Sequence, residues 1–554
     1  MADRLPDPGP SRGFASRIPD WTLERATGAS RVEGNAISLQ FDGPYTFDAW
    51  IEAIDGARDY IHFENYILRD DRVGRVFRDA LVSKARQGVE VRLLYDWMGC
   101  WATRRRYWKP YREGGVEVRA FNPPSIQDPF GVLQRDHRKM VCVDGTVAFI
   151  GGFCVGQEWA GDGKNPPWRD TGVEIQGPAA AVCSRAFERI WEQVGDPVPE
   201  RVRRDPKTIE PVGETPVWII EGEPWRSRVY RETQLVAASA QERIWITDPY
   251  FVAPFPVAEA LTSAARDGVD VRVLLPAHNN WPWVGSLSRG GYRALLEAGV
   301  RIFEWQGPMI HAKTMVADGV WSRIGSSNLN SASLLGNWEI DVGVLDERLA
   351  AQMQGLFMAD LTSAIEIVLP RAMVPNSGKP QPPKVPDGLE LSLPKTVLDP
   401  GRTLQERLER LREGTHGPTR WGVPELFRAG SSLGDALAGH RTLGKEDRTV
   451  LGTLAAMVLA VALVAAFFPR IVGWSIAILA GWFGVVLAVR AVVQARQARK
   501  ERDLMELRGQ EGGRSAGSEP YGESEAGAGE GQAPGSTTEG ETGPRPAAQG
   551  GVEA

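Results

Sequence analysis

Between residues 36 and 370, short apolar runs alternate with stretches whose apolar positions recur at helical spacing. YIHFENYI (60–67) and VEVRLLYD (89–96) read as strands, and VGRVFRDALVSKARQG (73–88) between them reads as an amphipathic helix. Strand, helix, strand predicts a βαβ unit and a largely parallel or mixed sheet. The series then returns as RIWITDPYFV (243–252), VAEALTSAARDG (257–268) and VDVRVLLP (269–276). ALVSKARQGVEVRLL, starting at Ala80, is matched by ALTSAARDGVDVRVL, starting at Ala260. A repeat of that length is no solenoid unit. It predicts two homologous lobes, 36–200 and 201–370, packed together. Residues 1–35 are polar with Pro and Gly and are predicted to be irregular.

Beyond residue 370 the pattern changes. Residues 371–448 start with a Pro-rich linker, and in TLQERLERLRE (403–413) Leu404, Leu408 and Leu411 mark an amphipathic helix. Residues 449–468 and 471–489 then run without a charge, separated by Pro469 and Arg470. Each run is long enough to cross a hydrocarbon core of roughly 30 Å as a helix, so 449–493 is predicted to be a transmembrane hairpin. Lys445 and Arg448 precede the uncharged runs, and Arg490, Arg496, Arg499, Lys500 and Arg502 follow them. Basic flanks on both sides put both ends, and the lobes with them, on the cytoplasmic side of the cell (inner) membrane. The Gly-, Glu- and Ser-rich tail, 508–554, lacks the apolar residues to fold and is predicted to be disordered.

The formal net charge of −6, with 24% charged residues, lacks the basic excess of a nucleic-acid binder, so no nucleic-acid partner is expected. One local basic cluster, Arg104, Arg105, Arg106, Lys109 and Arg112, stands out. The four cysteines, Cys100, Cys142, Cys154 and Cys183, match no zinc spacing and read as buried thiols in a reducing compartment. With only six histidines and no H-E-x-x-H, neither a metal nor another cofactor is expected. The N-terminus carries no apolar signal segment.

Two of the six histidines fall in identical contexts, one in each lobe. HRKMVCVD places His137, Lys139 and Asp144 ahead of Gly151 and Gly152. HAKTMVAD places His311, Lys313 and Asp318 ahead of Gly325, Ser326, Ser327 and Asn328. Positions i and i+2 of a strand share a face, so each imidazole is expected to project beside its lysine. Two such pairs around one small volume suit a phosphodiester. The ammonium groups neutralise its non-bridging oxygens, one imidazole can attack phosphorus, and the other can shuttle the proton.

In these motifs the chain resembles the phospholipase D superfamily, whose hallmark is a doubled H-x-K-x4-D-x6-G-S-x-N. More narrowly it is similar to bacterial cardiolipin synthases. ENYILRDDRVGRVFRDAL, GVEVRLLYDWMG, WRDTGVEIQGPA, LLEAGVRIFEW and HAKTMVADGVWSRIGSSNLN carry the likeness across most of 40–370. The resemblance implies an α/β fold of two homologous phospholipase D-type lobes, each a mixed or parallel sheet flanked by helices, joined here to the hairpin and tail. It implies His137 as nucleophile and His311 as general acid and base. Lys139, Lys313, Asn328 and Ser326 would contact the substrate phosphate, while Asp144 and Asp318, counted with the catalytic motif, would play supporting structural roles. It also implies a carboxylate behind each imidazole, often across the lobes, and Asp170 in WRDTG and Glu339 in NWEID occupy those places. One departure is Cys154, which stands where Asn328 stands in the second motif and offers only a weak donor.

The expected activity is phosphatidyl transfer between phospholipids through a phosphohistidine, with phosphatidylglycerol as donor and acceptor and phosphatidylethanolamine a second candidate donor. Hydrolysis to phosphatidic acid is the alternative, and a nuclease of the same fold ranks below both. Tryptophan-rich CWATRRRYW (100–108) and NWPWVG (280–285) follow matching strands of the two lobes and suit a membrane interface, which favours lipid.

Overall fold

The computed structural model describes residue 14 and residues 17–125, 131–226, 228–369 and 440–442. The predicted hairpin, most of the linker and the tail lie outside the described residues. Among the described residues no helix is long and apolar enough to cross a membrane.

Among the described residues, sixteen strands form one continuous mixed sheet. The first half holds β1 (Arg31–Phe41), β2 (Tyr60–Asn65), β3 (Glu90–Asp96), β4 (Glu117–Phe121), β5 (Lys139–Val143), β6 (Val147–Gly151) and β7 (Thr171–Gln176). The second holds β8 (Thr215–Gly222), β9 (Arg243–Thr247), β10 (Asp270–Pro276), β11 (Arg301–Trp305), β12 (Thr314–Ala317), β13 (Trp321–Gly325) and β14 (Glu339–Leu345). Two further strands, β15 (Ala364–Val368) and β16 (His440–Thr442), extend its edge. The order is β4-β3-β2-β5-β6-β7-β1 followed by β8-β14-β13-β12-β9-β10-β11-β15-β16. Up to β11 the second half repeats the first about the antiparallel β1–β8 pair, as the duplicated sequence requires.

The predicted βαβ units form with nearly the expected bounds. In each, parallel strands flank a crossover helix, α2 (Arg72–Arg86) between β2 and β3 and α4 (Phe255–Arg266) between β9 and β10. Asp71 caps α2 by accepting from Gly74 N at 2.8 Å, and Val73, Phe77, Ala80 and Leu81 form its buried stripe. Along β5, Val141 and Val143 face an outer core under α2, while Met140 and Cys142 face a central core. That central core is shared by both halves and contains α3 (Pro178–Gln193) and α5 (Glu347–Leu361).

Residues 1–35 need a correction. Asp20–Thr27 is a helix, α1, and β1 begins at Arg31 rather than after residue 36. Leu23 on α1, together with Ile18 and Phe14, is buried in the second half's outer core. Contacts made at long range fix this segment, and local pattern does not reveal them.

Candidate active site

Each motif histidine stands just ahead of a strand rather than inside it. β5 begins at Lys139, and β12 begins at Thr314, one residue after Lys313. The reason is backbone pairing across the lobes. His137 N donates to Trp338 O at 2.9 Å, and Trp338 N donates to Arg135 O at 2.8 Å. In the pseudo-symmetric place His311 N donates to Arg169 O at 2.6 Å, and Arg169 N donates to Met309 O at 3.0 Å. Trp338 precedes Glu339 and Arg169 precedes Asp170, so each bridge delivers a carboxylate to the opposite lobe's imidazole. His137 Nδ1 lies 2.9 Å from Glu339 Oε2, and His311 Nδ1 lies 2.8 Å from Asp170 Oδ2. A ring whose Nδ1–H donates to a carboxylate keeps its lone pair on Nε2, the tautomer a nucleophile or base needs.

Both carboxylates are themselves held. Asp170 accepts from Trp159 Nε1 and from Thr171 N, each at 2.8 Å. Glu339 accepts from Ser326 Oγ at 2.6 Å, Ser333 Oγ at 2.7 Å and Asn337 Nδ2 at 3.3 Å. Gly152 occupies the place of Ser326 in the first lobe, because a Cβ there would overlap the Asp170 carboxylate.

The lysines converge with the rings. Lys139 donates to His137 O, and Lys313 Nζ lies 3.0 Å from His311 Nε2. Each imidazole feels both ammonium groups, which places the four groups in one electrostatic environment. Burial lowers His137, with Glu339 pulling the other way. Burial and then Lys313 push His311 down to about 3. Lys313 is itself lowered to about 7, first by burial, with Lys139 adding to the effect. Burial pushes Asp170 and Glu339 up, but the imidazole each faces and the nearby lysine outweigh it, so both stay below the ordinary carboxylate range. The resting site therefore pairs neutral imidazoles with carboxylates. An entering phosphodiester would offset the lysine charge and raise the proton affinity of both rings.

Three expected site residues are placed differently. Asp144 and Asp318 are not brought to the histidines. Asp144 follows the far end of β5, five residues and about 16 Å of strand beyond Lys139. Its carboxylate accepts from the backbone N–H of Arg58, Asp59 and Tyr60 at 2.9, 2.8 and 2.8 Å, clamping the entry to β2. Asp318 does the same for β9, accepting from Gln241, Glu242 and Arg243 N at 2.9, 2.8 and 3.0 Å, with Arg17 at 2.6 Å. Ser326 is turned to Glu339 and accepts from Ile340 N at 2.9 Å, so its hydroxyl orients the carboxylate and is not spare for substrate. Asn328 is buried and donates to Ser333 Oγ at 3.2 Å. Cys154 is buried in the corresponding place, near enough to Lys139 and Lys313 to feel both.

Sequence reasoning missed four aromatic walls. Tyr66 meets His137 edge-on with ring centroids 4.8 Å apart, and Tyr250 meets His311 at 5.8 Å. Trp159 and Trp168 pack on His311 at 5.4 and 5.7 Å. The tyrosines were visible as the Tyr that ends each copy of the repeated strand, in ENYI and DPYF. Arg138, buried between His137 and Lys139, points to the opposite face. There it donates to Ala186 O at 3.0 Å and Glu221 at 3.2 Å, tying α3 to β8 beneath the site.

Two pseudo-symmetric lobes, each lending one histidine, one lysine and the other lobe's carboxylate, define the phospholipase D class of phosphodiester enzyme. The family described as "Cardiolipin synthase, PLD-like domain" matches residues 50–191 and 236–361. Cardiolipin synthase A of Pseudomonas aeruginosa is 34% identical over 348 residues, covering 62% of this chain and 70% of that protein. Cardiolipin synthase of Halalkalibacterium halodurans is 32% identical over 354 residues, covering 61% and 70%. Among solved structures, phosphatidylserine synthase of Haemophilus influenzae shares the fold, with a TM-score of 0.50 at 13% identity over 62% of this chain and 91% of that one. The chain belongs to the cardiolipin synthase-like family of the phospholipase D superfamily and is a phosphatidyltransferase of that group.

Proposed function

We propose that the protein moves a phosphatidyl group from one phosphatidylglycerol to the head-group hydroxyl of another, giving cardiolipin and glycerol. The observation that carries this reading is the crossed pairing of each imidazole with the other lobe's carboxylate, beside two lysines. As the substrate phosphate offsets the lysine charge, His311 takes up a proton on Nε2 from solvent. His137 Nε2 attacks phosphorus, and His311 gives that proton to the departing glycerol oxygen as the P–O bond breaks. His311 then takes the proton of the acceptor hydroxyl. That oxygen attacks phosphorus, the N–P bond breaks, and His137 is regenerated. Lys139 and Lys313 stabilise the charge on the non-bridging oxygens through both displacements, and Asn328 lies at the same phosphate. Once His311 carries that first proton, one returns to the same ring at the end of each turnover.

The two lobes would be held at the cytoplasmic face of the membrane by the 449–493 hairpin. The basic residues that flank those apolar runs support this. Trp101, Trp281 and Trp283, all largely exposed, suit contact with the lipid interface. Incubating the purified protein with labelled phosphatidylglycerol in mixed micelles tests the reading. Cardiolipin with free glycerol is expected, whereas phosphatidic acid as the main product would assign a hydrolase.

A further inference from the structure

Transfer between two lipids needs a place for the second one. We propose that a cleft beside the catalytic centre, on the first lobe, binds the phosphate and glycerol of the acceptor phospholipid, with Arg104 and Arg106 as its anion-holding groups. The inference rests on the transferase reading above and adds to it the residues that select the acceptor.

The cleft has a volume of about 970 Å³ and lies among the loops that follow β2 and β3. Lys139 pairs with Asn65, the last residue of β2, so the loop that follows β2 leaves the sheet at the strand end where the catalytic groups stand. Trp168 and Met309 line the cleft, and the Trp168 ring lies 5.7 Å from the ring of His311. One side chain therefore separates the cleft from the imidazole that would deprotonate the acceptor.

The cleft's four arginines and four acids balance in formal charge, so the deciding point is which cations are free to turn to a ligand. Of its acids, Asp70 pairs with Arg75 at 3.1 Å and Glu158 with Arg69 at 3.1 Å. Asp71 is taken up by Gly74 N and Gln157 N, each at 2.8 Å. Asp162 is taken up by the N–H groups of Lys164 and Asn165 at 2.8 and 2.7 Å. The Arg104 side chain is left with no ion-pair or hydrogen-bond partner among the described residues. Arg106 reaches only Asp70, at 3.9 Å. Two exposed guanidinium groups are thus available for an anion, and guanidinium forks suit phosphate.

The chemistry asks for this arrangement. The product carries two phosphates joined by a three-carbon bridge. The two active-site lysines are occupied by the reacting phosphate, so the acceptor's own phosphate needs separate cations one glycerol away. The second lobe does not offer them. The corresponding segment after β10 reads AHNNWPWVGS (277–286), with Val284 and Ser286 in the places of Arg104 and Arg106. The duplication has diverged where donor and acceptor must be told apart.

Full-length Arg104→Ala and Arg104→Ala/Arg106→Ala proteins test this in phosphatidylglycerol micelles. Two rates are compared: cardiolipin formation, and exchange of labelled free glycerol into phosphatidylglycerol. Exchange uses the same donor and the same two displacements, but its acceptor has no phosphate. Cardiolipin formation below saturation should fall about tenfold per arginine, with exchange unchanged and Arg104→Lys partly restoring the first rate. Equal loss of both rates, or loss of neither, overturns the assignment. A wild-type protein that gives neither product sinks the transferase reading itself, whatever the arginines do.

Discussion

Glu339 offers the sharpest separation of chemistry from folding. Its two oxygens accept from four donors: His137 Nδ1, Ser326 Oγ, Ser333 Oγ and Asn337 Nδ2. A glutamine at 339 can face only two of them with its carbonyl. The less costly orientation keeps oxygen toward His137 and Ser326. The amide then meets Ser333, whose hydroxyl can turn to accept, and Asn337, which is only partly buried and can turn to water. The packing survives, while the charge that stabilises the His137 imidazolium is gone. A hydrogen bond to a charged group contributes about 1.5–3 kcal/mol, which corresponds to about 10- to 150-fold in rate. The opposite amide orientation forces the wrong tautomer and costs more, about 10⁴-fold in a comparable triad. Glu339→Gln should therefore lose at least about tenfold in kcat for cardiolipin formation with KM nearly unchanged, because the interaction strengthens only as the ring gains charge. Steady-state kinetics with a thermal melt would decide it. A kcat within twofold of wild type refutes the reasoning, as does a loss confined to KM.

Two further outcomes follow from the same geometry. Below pH 6.5 the unfolded chain binds a proton at His311 that the native protein refuses until about pH 3, so native stability falls as pH drops through that window. Replacing His311 with Ala should make the slope of urea-unfolding free energy shallower there by about 1.4 kcal/mol per pH unit, and an unchanged slope would contradict the buried neutral ring. Asp144→Ala and Asp318→Ala should each destabilise by about 2–4 kcal/mol through lost backbone clamps, while kcat of the folded fraction stays within about threefold. A loss of kcat with an unchanged melt would place those carboxylates back in the chemistry.

The duplicated strand–helix–strand passages were legible because their strands are buried on both faces and their helices carry a single apolar stripe, so local pattern and tertiary environment agree. The histidine–lysine pairs and both carboxylates were legible because residue type and spacing recur in each lobe. β1 was not, since RVEGNAISLQF is half-buried and interrupted by Gly34, and its place at the centre of the sheet depends on β7 and β8, far along the chain. A supporting structural role for Asp144 and Asp318 was expected from the resemblance, but the backbone each one clamps was hidden for a similar reason. A motif spaced along one strand looks like a single cluster in sequence, but an extended chain carries its last member to the other end.

The central claim is that imidazoles from two lobes act in turn on one phosphorus atom. Rapid acid-free quenching of His311→Gln with a labelled phosphatidyl-p-nitrophenol, whose leaving group needs no proton, followed by peptide mass spectrometry, addresses it directly. A phosphatidyl adduct should accumulate on the peptide that holds His137 and vanish in His137→Ala. Turnover by His137→Ala, or an adduct that maps only to another residue, would contradict the account.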